Sequence, residues 1–288
     1  MTRRVRPKSI LLATDLSSRC DRALSRAAQL AAEWEANLIA ATVVEAEPDQ
    51  LMDQREREPR TTPAERALRT LESHLTDVKI RAEAHVASGN PASVLRSVAE
   101  QNNFDLIIMG TARNEALPGL LLGGTTKQLM KTLSAPVLIV HDRPAGPYRN
   151  ILVATDRSQG AREALFAAAR FFPKARITLF NAHDFPAASN LGANERAKHD
   201  MDLRSEMLAE IIADPRVSTD LAARLELVVE TGAVERLVSE YAQDHAVDLT
   251  VVGSHGHGAI FEAVIGSTER KLLDSHAGDL LIVSSKEG

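Results

Sequence analysis

Short apolar runs alternate along the whole chain with longer stretches in which apolar residues recur every three or four positions. The runs are rich in β-branched residues, and some, such as Leu106-Ile-Ile-Met109, are apolar on both faces. That pattern is typical of strands in a parallel sheet covered by helices, while the longer stretches have helical periodicity. Regular alternation of the two predicts right-handed crossovers and a doubly wound parallel sheet.

The alternation predicts two groups of five strands and four helices. In the first group the strands span about 9–14, 37–44, 78–86, 104–109 and 136–140, and the helices about 18–34, 63–75, 91–102 and 123–132. In the second group the strands span about 150–155, 176–182, 223–229, 248–252 and 279–283, and the helices about 159–171, 194–213, 233–245 and 266–274.

The two groups are copies of one unit. Three segments return in the same order: Ser9-Ile-Leu-Leu-Ala-Thr-Asp-Leu-Ser17 as Asn150-Ile-Leu-Val-Ala-Thr-Asp-Arg-Ser158, Asp105-Leu-Ile-Ile-Met-Gly110 as Asp248-Leu-Thr-Val-Val-Gly253, and Pro136-Val-Leu-Ile-Val140 as Asp279-Leu-Leu-Ile-Val283. The offset between copies is 141 residues at the first segment and 143 at the second. Such a regular repeat indicates duplication. We expect one domain over 1–142, a proline- and glycine-bearing linker over 143–149, and a second domain over 150–288.

Composition indicates an ordinary soluble protein. Of the 288 residues, 44% are apolar and 25% are charged, and the net charge of -5 favours neither nucleic acid nor an anionic membrane as partner. Cys20 is the single cysteine, so an intrachain disulfide is impossible. The basic N-terminus precedes an apolar stretch that stops at Asp15, which is too short for a secretory signal or a membrane span. We therefore expect a cytoplasmic location.

Glycines and hydroxyl residues follow the fourth strand of the second copy. In a doubly wound sheet the ligand crevice lies beyond the carboxyl ends of strands one and four, where the winding reverses. There the chain reads Gly253-Ser-His-Gly256, then nine residues, then Gly266-Ser-Thr268 at the start of a predicted helix. Glycines allow backbone to approach a phosphate, and helix N-termini suit anions. The alternative is that the glycines only turn the chain and Ser267 only caps the helix.

The spacing Gly-x2-Gly-x9-Gly-Ser resembles the ATP-binding motif of the universal stress protein family. Three segments of the second copy also resemble that family closely: Val251-Val-Gly-Ser-His-Gly256, Ile265-Gly-Ser-Thr-Glu-Arg270 and Ile151-Leu-Val-Ala-Thr-Asp156. The resemblance as a whole covers nearly all 288 residues, once in each copy. The resemblance implies two tandem α/β domains of the Rossmann-like, adenine-nucleotide-α-hydrolase-like type. It also implies an ATP site, with or without Mg²⁺, in the second domain. The residues that it places there are Ala154, Asp156, Ala182, Val252, Gly253, Gly256, Gly266, Ser267 and Thr268.

The resemblance also implies a role for each of these residues. The glycines with Ser267 and Thr268 would hold the phosphates and ribose, Asp156 would face the adenine, and Ala182 would lie near the base. Val252, just before the loop, would pack on the base. For Asp156 an alternative stays open, because an Asp between strand and helix is often a cap, and Ser158 competes for that position.

The first copy departs from the motif. It reads Gly110-Thr-Ala-Arg113, then nine residues, then Gly123-Gly-Thr-Thr126, so that Arg113 and Gly124 stand where glycine and serine belong. Arg113 would either block the pocket or grip a phosphate itself, and Pro118 stiffens the loop. Thr125 could replace the serine if the loop slips by one residue. We expect blocked or altered binding in this copy.

Other chemistry finds less support in the sequence. Neither a Gly-x-Ser-x-Gly elbow nor a Gly-x4-Gly-Lys-Ser/Thr loop is present, which argues against an α/β-hydrolase and a P-loop NTPase. His255 and His257 flank Gly256, but no neighbouring cysteines or carboxylates complete a metal site. Three functions stay open: a nucleotide-binding regulator without rapid turnover, a slow ATPase or self-phosphorylating enzyme, and a scaffold that has lost nucleotide binding.

The resemblance has one further implication, for assembly. Universal stress protein units commonly pair through their last strand, so the two copies could pair within one chain as a pseudo-dimer. The sequence leaves open whether the whole chain also forms a homodimer.

Overall fold

The computed structural model describes most of the chain and divides it into two compact units. The first consists of Pro7–Thr111 and Gly123–Pro144, and the second consists mainly of Ala145–Gly288. The residues described are 6–17, 20–44, 62–76, 80–113, 120–121, 128–129, 133, 135–183, 192–253 and 278–284.

In the first copy, strands and helices alternate as expected from the first strand to the fourth. The strands are Ser9–Ala13 (β1), Asn37–Val44 (β2), Ala82–Ser88 (β3), Leu106–Gly110 (β4), Ala112–Arg113 (β5), Leu120–Leu121 (β6) and Val137–Val140 (β7). The helices are Asp21–Trp34 (α1), Pro63–Thr76 (α2) and Pro91–Asn102 (α3). Asn90 caps α3, since its side chain accepts a hydrogen bond from the Ser93 N–H at 3.1 Å, and Pro91 suits the first helical position.

The second copy repeats this alternation, with one additional short helix before its third strand. Its strands are Asn150–Ala154 (β8), Arg176–His183 (β9), Leu225–Thr231 (β10), Leu249–Gly253 (β11) and Asp279–Val283 (β12). Its helices are Gln159–Phe171 (α4), Ala193–Ala213 (α5), Thr219–Ala222 (α6) and Val234–Asp244 (α7).

Each unit contains a five-stranded parallel sheet with the same strand order. The order is β3-β2-β1-β4-β7 in the first unit and β10-β9-β8-β11-β12 in the second. In both, the first strand of the unit lies in the middle and the winding reverses between it and the fourth. The prediction of two doubly wound parallel sheets is therefore confirmed.

The core explains the double-sided apolar strands. Ile10, Leu11 and Leu12 of β1 are fully buried, as strands with helices on both faces must be. In the second unit α4 packs on β11 and β8 through small residues such as Ala164 and Ala168, which are also fully buried. Small side chains let the helix axis come close to the sheet. At the end of β11 this brings Gly253 against Gly160 of α4.

The structure also shows elements that the pattern did not predict. The hairpin of β5 and β6 and the one-turn helix α6 are too short to produce a periodic signal. Strands β3 and β10 begin and end a few residues later than expected. The helix predicted at 123–132 is described only at residues 128–129, and the one predicted at 266–274 lies outside the described residues.

Candidate functional site

The carboxyl ends of β8 and β11 lie side by side in the second unit. The two strands are parallel neighbours, with Val153 in register with Val251. The chain therefore leaves β8 at Thr155 and leaves β11 at Gly253 from adjacent points of one sheet edge. This is the switch point at which doubly wound sheets bind ligands.

The segment Thr155–Ser158 forms a tight turn between β8 and α4. The Arg157 N–H donates to Thr155 Oγ1 at 3.1 Å, and the Ser158 N–H donates to Asp156 Oδ1 at 3.0 Å. Arg157 has a φ of 68°, in the left-handed region that few residues other than glycine adopt. Side chains of the turn itself therefore hold this uncommon backbone conformation.

The first copy builds the same turn from Thr14, Asp15, Leu16 and Ser17. The Leu16 N–H donates to Thr14 Oγ1 at 3.0 Å, and the Ser17 N–H donates to Asp15 Oδ1 at 2.9 Å. Leu16 has a φ of 60°. The repeated Thr-Asp-x-Ser is thus first of all a turn motif, common to both units.

Ser158, and not Asp156, is the N-cap of α4. The Ser158 hydroxyl accepts a hydrogen bond from the Ala161 N–H at 3.2 Å, which satisfies one free N–H of the first helical turn. Asp156 uses Oδ1 to close the preceding turn and is exposed to solvent. Among the described residues, Asp156 Oδ2 accepts no hydrogen bond. An exposed carboxylate with an uncommitted oxygen is suited to contact a ligand.

Gly253 brings the end of β11 against the first turn of α4. A Cβ at this position would lie 2.3 Å from the backbone carbon and oxygen of Gly160 and 2.9 Å from the nitrogen of Ala161. Such distances exclude any side chain without movement of the backbone. The structure thus gives Gly253 a packing role in addition to the predicted one near phosphate, and Gly160 as its partner was not predicted.

Three other predicted site residues are buried at the same edge. Ala154 and Ala182 are nearly inaccessible, and Val252 is fully buried. Ala154 lies at the end of β8, Ala182 near the end of β9, and Val252 near the end of β11. With side chains enclosed in the core, we expect any ligand contact of these residues to involve backbone N–H or C=O groups.

Asn181 joins this edge although sequence reasoning did not single it out. Its amide Nδ2 donates to the Thr155 carbonyl oxygen at 2.7 Å in a buried hydrogen bond between the ends of β9 and β8. The signal that could have found it is an amide side chain at the end of the strand, between the apolar residues Phe180 and Ala182.

Arg157 connects the turn to α5. Its guanidinium pairs with Glu210 and, at 3.2 Å, with Glu206, two carboxylates one helical turn apart. The hydrogen bonds that Arg157 donates to Glu210 and Glu206 raise the pKa of Arg157. The side chain that follows Asp156 is therefore directed at α5 and not at the switch point.

The remaining motif residues lie outside the part of the chain that the structure describes. They are Gly256, Gly266, Ser267 and Thr268, together with His255 and His257. Within the described part, no cluster of three or more His, Cys, Asp or Glu side chains is arranged to hold a metal ion. No described helix has the length and apolar character needed to cross a bilayer.

In the first copy the corresponding segment begins with the hairpin of β5 and β6. Ala112 is paired with Leu121 and Arg113 with Leu120. Backbone groups of Ala112 and Arg113 thus face a neighbouring strand, at the position where the second copy has Gly253-Ser-His-Gly256. Gly123, Gly124 and Thr125 lie outside the described residues.

Two tandem, doubly wound parallel sheets, with the Thr155–Ser158 turn and Gly253 at the switch point of the second, define a Rossmann-like α/β protein. The family model described as "Universal stress protein family" matches the chain twice, over residues 7–141 and 147–284. The chain therefore belongs to the universal stress protein family, as a tandem member.

Individual relatives agree with this assignment. A universal stress protein of Mycobacterium tuberculosis is 27% identical over 215 residues, which cover 67% of this chain and 70% of that one. A universal stress protein of Synechocystis is 24% identical over 184 residues, and the match spans 60% of this chain but only 55% of that longer protein. The crystal structure of a universal stress protein from Archaeoglobus fulgidus has the same fold, with a TM-score of 0.63 at 18% identity, covering 96% of this chain and 98% of the other.

Proposed function

We propose that this chain binds one adenine nucleotide, ATP, at the strand ends of its second copy and acts as a cytoplasmic stress-response regulator. The observation that carries the proposal is the adjacency of β8 and β11. It places the exposed Asp156 beside the point where the Gly-x2-Gly-x9-Gly-Ser motif begins. The resemblance of that motif to the ATP-binding motif of the family supports the choice of ligand.

Binding without rapid turnover is the activity that this motif favours. The span from Gly253 to Thr268 contains no lysine. Phosphoryl transfer in P-loop enzymes uses a loop lysine to stabilise charge on the phosphates, and this loop offers glycines and hydroxyls instead. We therefore propose that the nucleotide is held as a signal and is exchanged, with hydrolysis at most slow.

The experiment is to identify and count the nucleotide in the purified protein. We expect mass spectrometry of the denatured chain, or titration of the stripped chain with labelled ATP, to give about one adenine nucleotide per chain, as one intact motif requires. Two per chain would show that Arg113 does not prevent binding. None, in either assay, would favour a scaffold that has lost the nucleotide.

A turnover assay separates the regulator from a slow enzyme. We expect phosphate release from ATP to stay close to the uncatalysed background. Release well above background that disappears in an Asp156→Ala variant would favour an enzyme instead. Phosphate found on Ser267 or Thr268 would favour self-phosphorylation.

A further inference from the structure

Asn181 has a buried side-chain amide, and only one of its two polar atoms has a hydrogen-bond partner among the described residues. The residue is 5% exposed, and Nδ2 donates to the Thr155 carbonyl. Oδ1 is also buried and has no hydrogen-bond partner among the described residues. A buried polar atom without a partner destabilises a protein, so its presence requires an explanation.

The hydrogen bond that Asn181 does make controls a specific peptide group. The Thr155 carbonyl and the Asp156 N–H belong to the same peptide plane, and in a trans peptide they point in opposite directions. Because Asn181 holds the carbonyl on its own side, the Asp156 N–H is directed away from Asn181. Within the described part of the chain, the Asp156 N–H donates a hydrogen bond to no group.

The first copy shows that the fold does not require an amide at this position. There Thr42 occupies the corresponding point of β2 and is 4% exposed. The neighbouring ladder bond is the same in both copies: the Thr14 N–H donates to the Ala41 carbonyl, and the Thr155 N–H donates to the Phe180 carbonyl, each at 2.9 Å. The amide thus occurs in the copy with the intact motif and is replaced in the copy whose motif has changed.

We propose that Asn181 is a positioning residue of the nucleotide site. It orients the Thr155–Asp156 peptide so that the Asp156 N–H is presented to an acceptor atom of the bound nucleoside. This inference rests on the proposed function, because it concerns the same site. An asparagine at this position supplies the Nδ2 donor to the Thr155 carbonyl and, with it, the buried Oδ1 that has no partner among the described residues.

The test compares Asn181→Thr with Thr42→Asn in the full-length chain. The first substitution introduces the residue that the other copy already accommodates, so we expect the variant to fold, with circular dichroism as the check. Calorimetric titration with ATP should show about a tenfold loss of affinity for Asn181→Thr, the equivalent of one hydrogen bond. Thr42→Asn should bind ATP within twofold of the wild-type chain.

A second variant and a spectroscopic measurement separate positioning from a purely structural role. Leucine has nearly the shape of asparagine; it leaves the Thr155 carbonyl without its donor but also removes the buried Oδ1, and these two effects oppose each other. Asn181→Leu should therefore keep the wild-type melting temperature within a few degrees and still lose affinity for ATP. In the wild-type chain, ATP should shift the amide proton resonance of Asp156 downfield, and in Asn181→Thr this shift should be absent.

The outcomes distinguish the inference from the proposed function. ATP binding by the wild-type chain that survives in both Asn181 variants, or an Asp156 resonance that ATP leaves unchanged, would overturn the inference alone. Absence of ATP binding by the wild-type chain would overturn the proposed function and the inference with it.

Discussion

The two copies form the same turn after their first strand, but the aspartate of the turn accepts different hydrogen bonds in each. In the first copy Asp15 Oδ1 accepts hydrogen bonds from the Ser17 N–H, the Ser17 hydroxyl and, at 3.1 Å, the Cys20 thiol. Burial raises the pKa of that thiol, which keeps it a donor at neutral pH. In the second copy Asp156 Oδ1 accepts only from the Ser158 N–H among the described residues. The shared aspartate is therefore no evidence of a ligand site by itself.

The copies also differ in the helix that follows the turn. In the second copy α4 begins at Gln159, directly after its capping residue Ser158. In the first copy α1 begins at Asp21, the position equivalent to Arg162, and its N-cap Cys20 makes no side-chain capping bond. The close approach of Gly253 to Gly160 involves the first turn of α4. The first copy has Arg19 at the position of Gly160. The lesson is that duplication preserved the sheet while the contacts at the carboxyl ends of its strands diverged.

The largest expected effect is on ATP affinity, and it should distinguish the glycine motif of the second copy from its counterpart in the first. Gly266→Val should abolish ATP binding, lowering affinity at least about a hundredfold, because a β-branched side chain would intrude on the backbone cradle that the motif predicts. Gly123→Val, its counterpart, should leave the ATP stoichiometry unchanged. Equilibrium binding of labelled ATP measures both. Unchanged affinity in Gly266→Val would remove the loop from the site.

A large loss of stability is expected where sheet and helix touch. Gly253→Ala should lower the free energy of unfolding by about 3 kcal/mol, because its Cβ overlaps the backbone of Gly160 and overpacking is costly. We expect Gly110→Ala to cost less, because the first copy has Arg19 at the position of Gly160, and a residue with a side chain there should approach the strand end less closely than glycine. Urea unfolding of the two variants provides the comparison. Equal losses would mean that the approach is as close in both copies.

A smaller effect is expected at the two serines of the turn. Ser158→Ala should destabilise the protein by about 1 kcal/mol, the usual value of an N-cap. Ser17→Ala should cost less than half of that, because the N-cap position of α1 is Cys20 and not Ser17. Thermal melts of the two variants test this difference, and a reversed order would contradict the assignment of the cap.

The smallest effect concerns the pH dependence of the second copy. The hydrogen bond from Arg216 lowers the pKa of Asp214 from its ordinary value of 3.8. A lowered pKa contributes stability that is present above the unfolded-state value and is lost as pH falls through the folded-state value. Both side chains are partly exposed, so this contribution should be a few tenths of a kcal/mol. Asp214→Asn should therefore melt slightly below the wild type at pH 7, and the difference should vanish near pH 2. A difference that persists there would exclude the ion pair as its cause.

Local pattern predicted the elements well because most strands are short apolar runs and most helices have apolar residues at helical spacing. It predicted the doubly wound sheets, and it predicted the turn residues through their repetition. It missed the β5–β6 hairpin, whose two-residue strands carry no period, and it missed Asn181, whose importance depends on a carbonyl 26 residues away in the chain. The predicted phosphate residues beyond Gly253 remain predictions.

The sequence by itself determined the duplication, the family and the composition of both turns, because these depend on residue order and on contacts within a few positions. Only the tertiary structure decided which groups meet at the edge of the sheet. It brought Gly253 against Gly160, Asn181 against Thr155 and Arg157 against Glu210. Such contacts follow from strand register and helix placement, which periodicity along the chain does not encode. The second copy is therefore distinguished from the first as much by these long-range contacts as by its glycines.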